Sequence, residues 1–538
     1  MKLQNLSHTI LPTFLFLSVT LSHSWPLSTS SRWVVDKSGR RVKLTCANWS
    51  GHLHAMVPEG IDKRPIKVLA ANVSSMGFNC VRLSYATYML TKPGNTNITV
   101  AQSLKQWNLT DAIAGVGLNN PKLLSLKLID AQQAVVDKLG KHKVMVILDN
   151  HVSLPIWCCA DTDGNGFFGD MDFDPKDWLQ GLTTIAKHYK GNHGVVGMSL
   201  RNELRGSRQN SSVWYEYMQQ GAMAIHRENP DVLVVVSGLA YDTNLDFLKQ
   251  RPFQVDFTSK LVFEAHWYSF GDPTDKWMYQ TNEYCANRTG RFVGQTGFLI
   301  SNLNPFPLWV SEFGADQRGL NEAENRYFTC ALAYLADKDI DWALWTLQGS
   351  TILRQGKLNE EETYGMFDKD WVNLRNASFP QRLQLIKQMT QEPNSKYPYY
   401  FILHHPKSGL CVHVDKNNVF AGDCKKWSRW SYSGNGNGSP IRLLGSTGCL
   451  NVAGEGLPVT LSNNCSSQRS LWKPVSKSGF HLAAQDGQGK SLCLDWNSAN
   501  STILTQKCLC LGNALEDVPR CTDDPTKQWF KLVSTNLK

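Results

Sequence analysis

Short apolar segments alternate with longer amphipathic segments between residues 30 and 345. Eight apolar segments have strand length and are rich in Val, Ile, Leu or Trp: residues 42–49, 78–85, 143–151, 195–203, 232–238, 260–268, 307–314 and 341–349. Helical patterns lie between them, for example at residues 121–142 and 321–339. Continuous apolar strands are typical of a parallel sheet whose two faces are both covered. The alternation therefore predicts an α/β fold, a parallel (β/α)8 TIM barrel.

The composition changes at residues 385–400, where a polar stretch precedes Pro398 and two tyrosines. Because 538 residues are too many for one compact core, a domain boundary is expected here. The remainder is rich in Cys, Gly and Ser, and the segments 409–414, 448–453 and 491–496 repeat about every 40 residues. Such short repeats cannot form separate cores. They predict a single all-β domain over residues 398–538.

The N-terminus and the cysteine content indicate export. Lys2 precedes an apolar segment at residues 9–20, and Ser22 to Ser24 form a small-x-small cleavage site, so residues 1–24 read as a signal peptide, with a signal anchor as the alternative. No later segment has the length of a transmembrane helix. Fourteen cysteines suit an oxidising compartment. Glycosylation sequons begin at Asn72, Asn97, Asn108, Asn210, Asn287, Asn376, Asn464 and Asn500.

The charge pattern restricts the expected partners. The formal net charge of +9 comes from 55 basic and 46 acidic residues, which are dispersed along the chain. A dispersed charge predicts solubility and no nucleic-acid partner. We expect a secreted monomer, extracellular or in a cell wall, with no membrane span and no cofactor.

Polar residues lie in or just after most of the predicted strands. Active sites of parallel barrels collect at the carboxyl ends of the strands. Each residue alone has an ordinary structural explanation, such as a solvated loop glutamate or a buried ion pair. Their occurrence on successive β/α units predicts one site, formed by Arg82, His151, Asn202, Glu203, His266, Tyr268, Glu312 and Trp345.

Two carboxyl groups on opposite sides of a barrel suit the hydrolysis of glycosidic bonds. One carboxyl must protonate the leaving oxygen, and the other must be ionised to attack the anomeric carbon or activate water. Glu203 lies at the end of the fourth predicted strand and Glu312 at the end of the seventh. Arg82 and Tyr268 could keep a nearby carboxylate ionised. Further substrate contacts are expected from Asn202, His151, His266 and Trp345, the last by stacking on a sugar ring.

The order of these residues resembles glycoside hydrolase family 5, the cellulase family with a (β/α)8 fold. The resemblance covers about residues 30–390, and the segments CANWSGH and DNHVSLPIWCC resemble its plant and fungal branch. It implies a catalytic domain at residues 25–390, with Glu203 as acid/base and Glu312 as nucleophile, and net retention. It also implies a β-1,4-glucan or related cell-wall polysaccharide as substrate. A β-mannanase, an exo-β-glucosidase, a transglycosylase and a non-catalytic wall-binding protein are the alternatives.

The C-terminal repeats resemble a ricin B-type β-trefoil, a frequent carbohydrate-binding module. The three positions that match its sugar-binding aspartate are His413, Asn451 and Asp495, so a sugar site is expected at Asp495 alone. A purely structural module is the alternative. Within the repeats, we expect disulfides between Cys411 and Cys424 and between Cys449 and Cys465, and a third from Cys493 to Cys508 or Cys510.

The loop at residues 161–172 has two competing interpretations. Asp161, Asp163 and Asn165 stand at the spacing of calcium ligands, but the twelfth position is Asp172 instead of Glu. A glycine-rich active-site loop with surface acids is the alternative, and no metal is required by it. Just before this loop, Cys158 and Cys159 are adjacent, and each is expected to bond to a more distant cysteine.

Overall fold

The computed structural model describes residues 25–434 and 436–538, so the predicted signal peptide lies outside the described residues. A closed barrel of parallel strands forms the first part of the chain. Its strands are β1 (Thr45–Trp49), β2 (Cys80–Ala86), β3 (Met145–Val152), β4 (Val195–Ser199), β5 (Leu233–Val236), β6 (Leu261–Trp267), β7 (Leu308–Phe313) and β8 (Asp341–Leu344). Pairing of β8 with β1 closes the barrel. Each strand overlaps one predicted apolar segment, so the predicted barrel is confirmed.

Amphipathic helices cover the outside of the barrel. The longer ones are Ile66–Ser75, Thr110–Asn119, Leu128–Lys141, Pro175–His188, Ser211–Glu228, Thr281–Gln295 and Glu322–Lys338. In Leu128–Lys141, the buried residues follow the helical period, with Leu128, Ala131, Val135 and Leu139 facing the barrel. Between β5 and β6, 3-10 turns at Asp246–Lys249 and Thr258–Lys260 take the place of a helix. Across residues 25–434 and 436–538, no helix combines the length and the apolar character needed to cross a membrane.

Shorter elements complete the barrel part. Between β2 and β3 the chain forms the helices Tyr88–Thr91, Pro93–Thr96 and Val100–Gln106, and the 3-10 turn Pro121–Ser125. After β6 comes Thr274–Tyr279, and before β7 the 3-10 turn Gly297–Ile300. A hairpin, Ser28–Ser30 with Trp33–Val35, precedes β1, and a second, Ser350–Arg354 with Lys357–Glu361, follows β8. The short helices Phe379–Arg382 and Gln384–Lys387 lead toward the C-terminal region.

The C-terminal region is built almost entirely from short β-strands. They are Tyr400–His405, Leu410–Asp415, Asn418–Gly422, Trp430–Ser431, Ser439–Pro440, Arg442–Leu443, Cys449–Asn451, Thr460–Ser462, Leu471–Pro474, Leu482–Gln485, Ser491–Trp496, Ile503–Gln506 and Lys531–Thr535. The predicted disulfides Cys411–Cys424 and Cys449–Cys465 are present, and Cys493 pairs with Cys508. Each therefore closes within one repeat, as the repeat pattern requires.

The C-terminal region packs directly against the barrel helices. Phe480, Trp529 and Val533 belong to the same apolar core as the barrel residues. The Trp529 indole Nε1 donates to Asn282 Oδ1 at 2.9 Å, and Asn282 Nδ2 donates to Asp517 Oδ1 at 2.8 Å. Because Asn282 lies in the helix Thr281–Gln295, these contacts fix the C-terminal region to the outside of the barrel.

A buried ion cluster joins the start of β1 to the end of the helix before β8. The carboxylate of Asp339 accepts from Arg41 and Lys43, and also from the backbone amides of Thr390 and Gln391 at 2.8 and 2.7 Å. Burial opposes the ionisation of Asp339, but Lys43 and Arg41 outweigh it and hold its pKa well below the usual value. Asp339 is therefore the nearest carboxylate for two buried cations, and Arg41 also lies 3.6 Å from Asp341.

Replacing Asp339 with asparagine should destabilise the fold by about 3–5 kcal/mol, because Lys43 loses its carboxylate partner and Arg41 keeps only the longer contact with Asp341. Urea unfolding followed by fluorescence measures the change. The difference in the free energy of unfolding between the wild type and the variant should be largest above the unfolded aspartate pKa of about 3.9. It should shrink as the pH falls below that value. Glu455→Gln removes a partner of Lys490 at an exposed ion pair and should change stability little. Equal changes in the free energy of unfolding for Asp339→Asn and Glu455→Gln would contradict a stabilising role of the buried ion cluster.

Candidate active site

A cleft of about 860 Å³ lies at the carboxyl ends of the barrel strands. Seven of the sequence-predicted residues line it: His151, Asn202, Glu203, His266, Tyr268, Glu312 and Trp345. Arg82 lies beneath the cleft and is fully buried. The strands β2, β3, β4, β6 and β7 end at one rim, and this shared edge brings together residues that are far apart in sequence.

The two glutamates face each other across the cleft. An oxygen of Glu203, a ring nitrogen of His266 and an oxygen of Glu312 all lie within 4.8 Å of one another. His266 Nδ1 is 2.8 Å from Glu203 Oε1 and 3.7 Å from Glu312 Oε2. A sugar held between the two carboxyl groups would therefore contact one on each side.

Arg82 connects the buried strands below the two glutamates. Its Nη1 donates to Glu312 Oε1 at 2.6 Å, and its Nη2 donates to Asn202 Oδ1 at 2.9 Å. Nη2 also forms an ion pair with Asp149 Oδ1 at 3.0 Å. Burial alone would lower the Arg82 pKa, but Asp149, Glu312 and Glu264 together raise it above its usual value. This guanidinium therefore stays charged inside the barrel.

The two glutamates have different partners. Glu312 accepts from Arg82 and, at 3.1 Å, from the Tyr268 hydroxyl, whereas the near partner of Glu203 is His266. Burial raises the pKa of both carboxyl groups to about 7. Since like charges this close oppose each other, one carboxyl ionises before the other. The direct bond from Arg82 favours Glu312 as the first to lose its proton.

Neutral histidines surround the carboxyl pair. Burial lowers the pKa of His266, and it lowers that of His151 and His52 well below the usual value. His151 Nδ1 lies 2.6 Å from Asp149 Oδ2, which fixes the ring. The His151 ring stacks between His52 and Trp345, with centroid distances of 4.0 and 5.8 Å. These imidazoles can offer hydrogen bonds to hydroxyls without adding charge.

Aromatic side chains extend the cleft on both sides of the carboxyl pair. On one side, Phe270 stacks on Tyr268 at 4.5 Å and on Tyr364 at 5.7 Å, and 65% of Phe270 is exposed. On the other side, Trp157 contacts the edge of Trp345 at 6.4 Å. The exposed ring of Phe270 on one side and the half-buried rings of Trp157 and Trp345 on the other provide surfaces for more than one sugar ring.

Several buried residues of the site were not among the sequence-predicted residues. Asp149 contacts both Arg82 and His151, and Glu264 accepts from the Ser199 hydroxyl. The sequence contained a signal for Asp149 and Glu264, because each precedes a predicted site histidine by two positions in the same strand. Residues two apart in a strand face the same side, so His151 and His266 pointed to them. Asp242, whose carboxylate accepts from the Gly238 amide, carried no such signal.

The side-chain oxygens that could bind calcium in residues 161–172 each accept hydrogen bonds from protein donors. Asp161 accepts from the Tyr241 hydroxyl at 2.7 Å, and Asp163 from Arg205. Asn165 turns its side-chain oxygen to the amides of Ser153 and Leu154 at 2.8 and 2.9 Å. A calcium site in this loop stays a prediction.

The expectation of distant partners for Cys158 and Cys159 is wrong, because these two cysteines bond to each other. The other cysteines of residues 25–434 and 436–538 form the pairs Cys46–Cys80, Cys285–Cys330 and Cys510–Cys521 besides the three repeat disulfides, and none remains free. Distant partners are thus already taken. The loop after β3 also turns both sulfur atoms to the cleft.

Asp495 lies in the C-terminal region, away from the cleft residues. Its Oδ2 accepts from Gln528 Nε2 at 2.8 Å, and Trp496 follows it in the same strand. At the two corresponding positions, His413 contacts the Asp423 carbonyl and Asn451 contacts Thr460. A sugar site at Asp495 stays a prediction.

Comparisons with known proteins agree with the geometry. Residues 35–351 match the family described as Cellulase (glycosyl hydrolase family 5). A "Glycosyl hydrolase 5 family protein" of Chamaecyparis obtusa is 47% identical over 536 residues, covering 97% of this chain and 95% of that protein. An "Endoglucanase" of Paenibacillus polymyxa is 22% identical over 365 residues, covering 64% and 83%.

A solved structure supports the same fold. The endocellulase from Pyrococcus horikoshii, crystallised as a complex of a variant with cellotetraose, has a TM-score of 0.52 at 19% identity, over 66% of this chain and 96% of that chain. The family match spans the barrel, and the 47% identity spans nearly the whole chain. The chain therefore belongs to glycoside hydrolase family 5 and is a glycoside hydrolase.

Proposed function

We propose that the chain is a retaining β-glycosidase that hydrolyses β-1,4-glucan or a related cell-wall polysaccharide. The separation of the two glutamates carries this proposal, since their nearest oxygens lie within 4.8 Å. Retaining enzymes hold their carboxyl groups about 5–5.5 Å apart, whereas inverting enzymes leave about 6.5–9.5 Å for a water molecule. The short separation supports a double displacement. Both carboxyl groups are present, which argues against a non-catalytic wall-binding protein.

In the first step, the Glu312 carboxylate attacks the anomeric carbon and forms a covalent glycosyl-enzyme. The hydrogen bonds from Arg82 and Tyr268 favour the ionised form of Glu312 and align it for this attack. Glu203 donates its proton to the leaving glycosidic oxygen. In the second step, the Glu203 carboxylate removes a proton from water, which attacks the same carbon and releases the sugar with its original configuration.

The substrate class rests on the cleft and on the relatives. Aromatic rings on both sides of the carboxyl pair suit a chain of sugars, and two matched proteins are an endoglucanase and an endocellulase solved with cellotetraose. Product analysis on a panel of β-glucans, β-mannans and aryl glycosides tests the assignment. We expect cleavage at internal bonds of β-1,4-glucan. Activity on mannan or on terminal glucose alone, or transfer to sugar acceptors, would favour the alternatives.

The C-terminal region is proposed to be a ricin B-type β-trefoil with a sugar site at Asp495. The three disulfides within repeats and the hydrogen bond between Asp495 and Gln528 support this proposal.

We also propose that the protein acts outside the cell and that it is a monomer. Disulfides persist in oxidising compartments. The sequon residues Asn97, Asn108, Asn210, Asn287, Asn464 and Asn500 are exposed and open to glycosylation.

The pH dependence of kcat/KM should be bell-shaped and centred near pH 7, because burial raises the pKa of both glutamates to about 7. Below the optimum Glu312 gains a proton and no longer attacks, and above it Glu203 loses the proton that the leaving group needs. Initial rates on cellotetraose from pH 4 to pH 9 measure the profile. A profile that stays flat through pH 7 would contradict these assignments.

Replacement of each glutamate by glutamine should separate the two roles. Glu312→Gln should nearly abolish turnover, since no covalent intermediate can form. Glu203→Gln should lose roughly 10²–10⁴-fold on cellotetraose, because the sugar leaving group needs an acid. On a dinitrophenyl β-cellobioside, Glu203→Gln should still form the intermediate and then stall. Azide should restore its turnover and give the β-glycosyl azide.

Azide added to Glu312→Gln or Glu312→Ala should instead give the α-glycosyl azide, by direct displacement. NMR of the products distinguishes the two anomers. Glu216→Gln, on the exposed face of the helix Ser211–Glu228, is the matched control and should keep wild-type activity. The opposite stereochemistry would exchange the two roles, and full activity in both active-site variants would refute catalysis at this pair.

A further inference from the structure

The segment Trp157-Cys158-Cys159 forms part of the cleft wall, yet none of the proposed catalytic steps uses it. It belongs to the loop that follows β3 and reaches into the cleft beside Asn202 and Glu203. The two cysteines are bonded to each other. Sulfur atoms from both also lie within 4.8 Å of a Glu203 carboxylate oxygen. An uncharged pair of sulfur atoms therefore lies close to Glu203, the proposed acid/base.

The disulfide contacts the side-chain amide of Asn202. Asn202 Nδ2 points to Cys158 Sγ at 3.6 Å and to Cys159 Sγ at 3.7 Å. The other end of the amide is also held, because Oδ1 accepts from Arg82 at 2.9 Å. The backbone amide of Asn202 donates to the Asn150 carbonyl at 2.9 Å. The amide group is thus oriented with its oxygen to the barrel centre and its nitrogen to the cleft wall.

The chemistry of sulfur suits this position. A disulfide sulfur is a weak hydrogen-bond acceptor and has no donor of its own. The Asn202 NH₂ group is therefore kept in one orientation by a partner that a sugar hydroxyl, a stronger acceptor, can replace at little cost. Trp157 continues the same wall, with the Arg354 guanidinium 3.3 Å above its ring centroid. The two sulfur atoms and the Trp157 ring give this wall an apolar surface beside the amide.

A purely structural role explains this disulfide poorly. Disulfides stabilise folds mainly by closing loops in the unfolded chain, and the effect grows with loop length. Cys285 and Cys330 are 45 residues apart, whereas Cys158 and Cys159 are neighbours and their bond closes no chain loop. Its loss should therefore cost little global stability. Loss of this disulfide would instead change the surface beside Asn202.

We propose that the Cys158–Cys159 disulfide is a positioning element of the active site: it orients the Asn202 amide toward a hydroxyl of the sugar bound between Glu203 and Glu312 and forms, with Trp157, the apolar wall against that sugar. The inference rests on the proposed function and deepens it. Asn202 touches the substrate, and the disulfide acts through Asn202.

A double-mutant cycle on the full chain tests the coupling. Cys158→Ala/Cys159→Ala should lower kcat/KM on cellotetraose by about tenfold when Asn202 is present. The Asn202→Ala variant is itself slow. In that variant, the same two cysteine substitutions should lower kcat/KM by less than about threefold, because the amide group that the disulfide positions is absent. Peptide mapping without reductant should recover Cys158 and Cys159 bonded to each other in the wild type.

The matched control removes a disulfide outside the cleft. Cys449→Ala/Cys465→Ala should change kcat/KM by the same factor with and without Asn202, since this pair lies in the C-terminal region. Cys158→Ser/Cys159→Ser is a second cleft variant, and its hydroxyls should also lower kcat/KM by competing for the Asn202 amide. Thermal unfolding should show every variant folded.

The outcomes separate this inference from the proposed function. Equal effects of the Cys158–Cys159 pair in both Asn202 backgrounds would overturn the positioning role while leaving the glycosidase assignment intact. Free thiols at both positions, or failure of both the alanine and the serine pairs to fold, would also overturn it. A wild-type chain that cleaves no β-glycan would overturn the proposed function, and this inference with it.

Discussion

The buried guanidinium of Arg82 is the interaction on which the active site depends. It contacts Asn48 in β1, Asp149 in β3 and Glu312 in β7, and also Asn202, which follows β4. Burying several carboxyl groups in one place would be very costly without a compensating cation. Burial raises the pKa of Asp149 and Glu264, and that of Asp242 well above its usual value. The charge of Arg82 opposes this effect of burial and lowers the pKa of each of these carboxyl groups and of Glu312.

Irregular strand pairing brings the site residues into contact. Along β6 and β7, Ala265 pairs with Val310 and His266 pairs with Glu312, so Ser311 is an extra residue on β7. This bulge places His266 beside Glu312, and a similar shift between β2 and β3 leaves His151 as the extra residue. Bulges redirect side chains at the ends of strands. The same barrel with regular pairing would point these groups in other directions.

The sequence predicted the barrel and the residues at the strand ends because both depend on local patterns. Strand-length apolar segments give the eight strands, and polar residues at their ends give Glu203 and Glu312. Contacts between distant loops have no such signal. The calcium pattern at Asp161 matched locally, but its oxygen binds Tyr241, a residue 80 positions away. Cys158 and Cys159 were misassigned for a related reason, because a pairing depends on the path of the loop and on which other cysteines are already bonded.

Arg82 illustrates why a structural and a functional explanation need not exclude each other. From the sequence alone, an arginine inside an apolar strand suggested either a buried ion pair or a catalytic contact. In the structure it forms ion pairs with Asp149 and Glu312, and the second of these is the proposed nucleophile. The energy that holds the barrel centre together is thus the same energy that favours ionised Glu312. Loss of the Arg82 guanidinium would therefore disturb both the packing of the polar residues in the barrel centre and the difference in ionisation between the two glutamates.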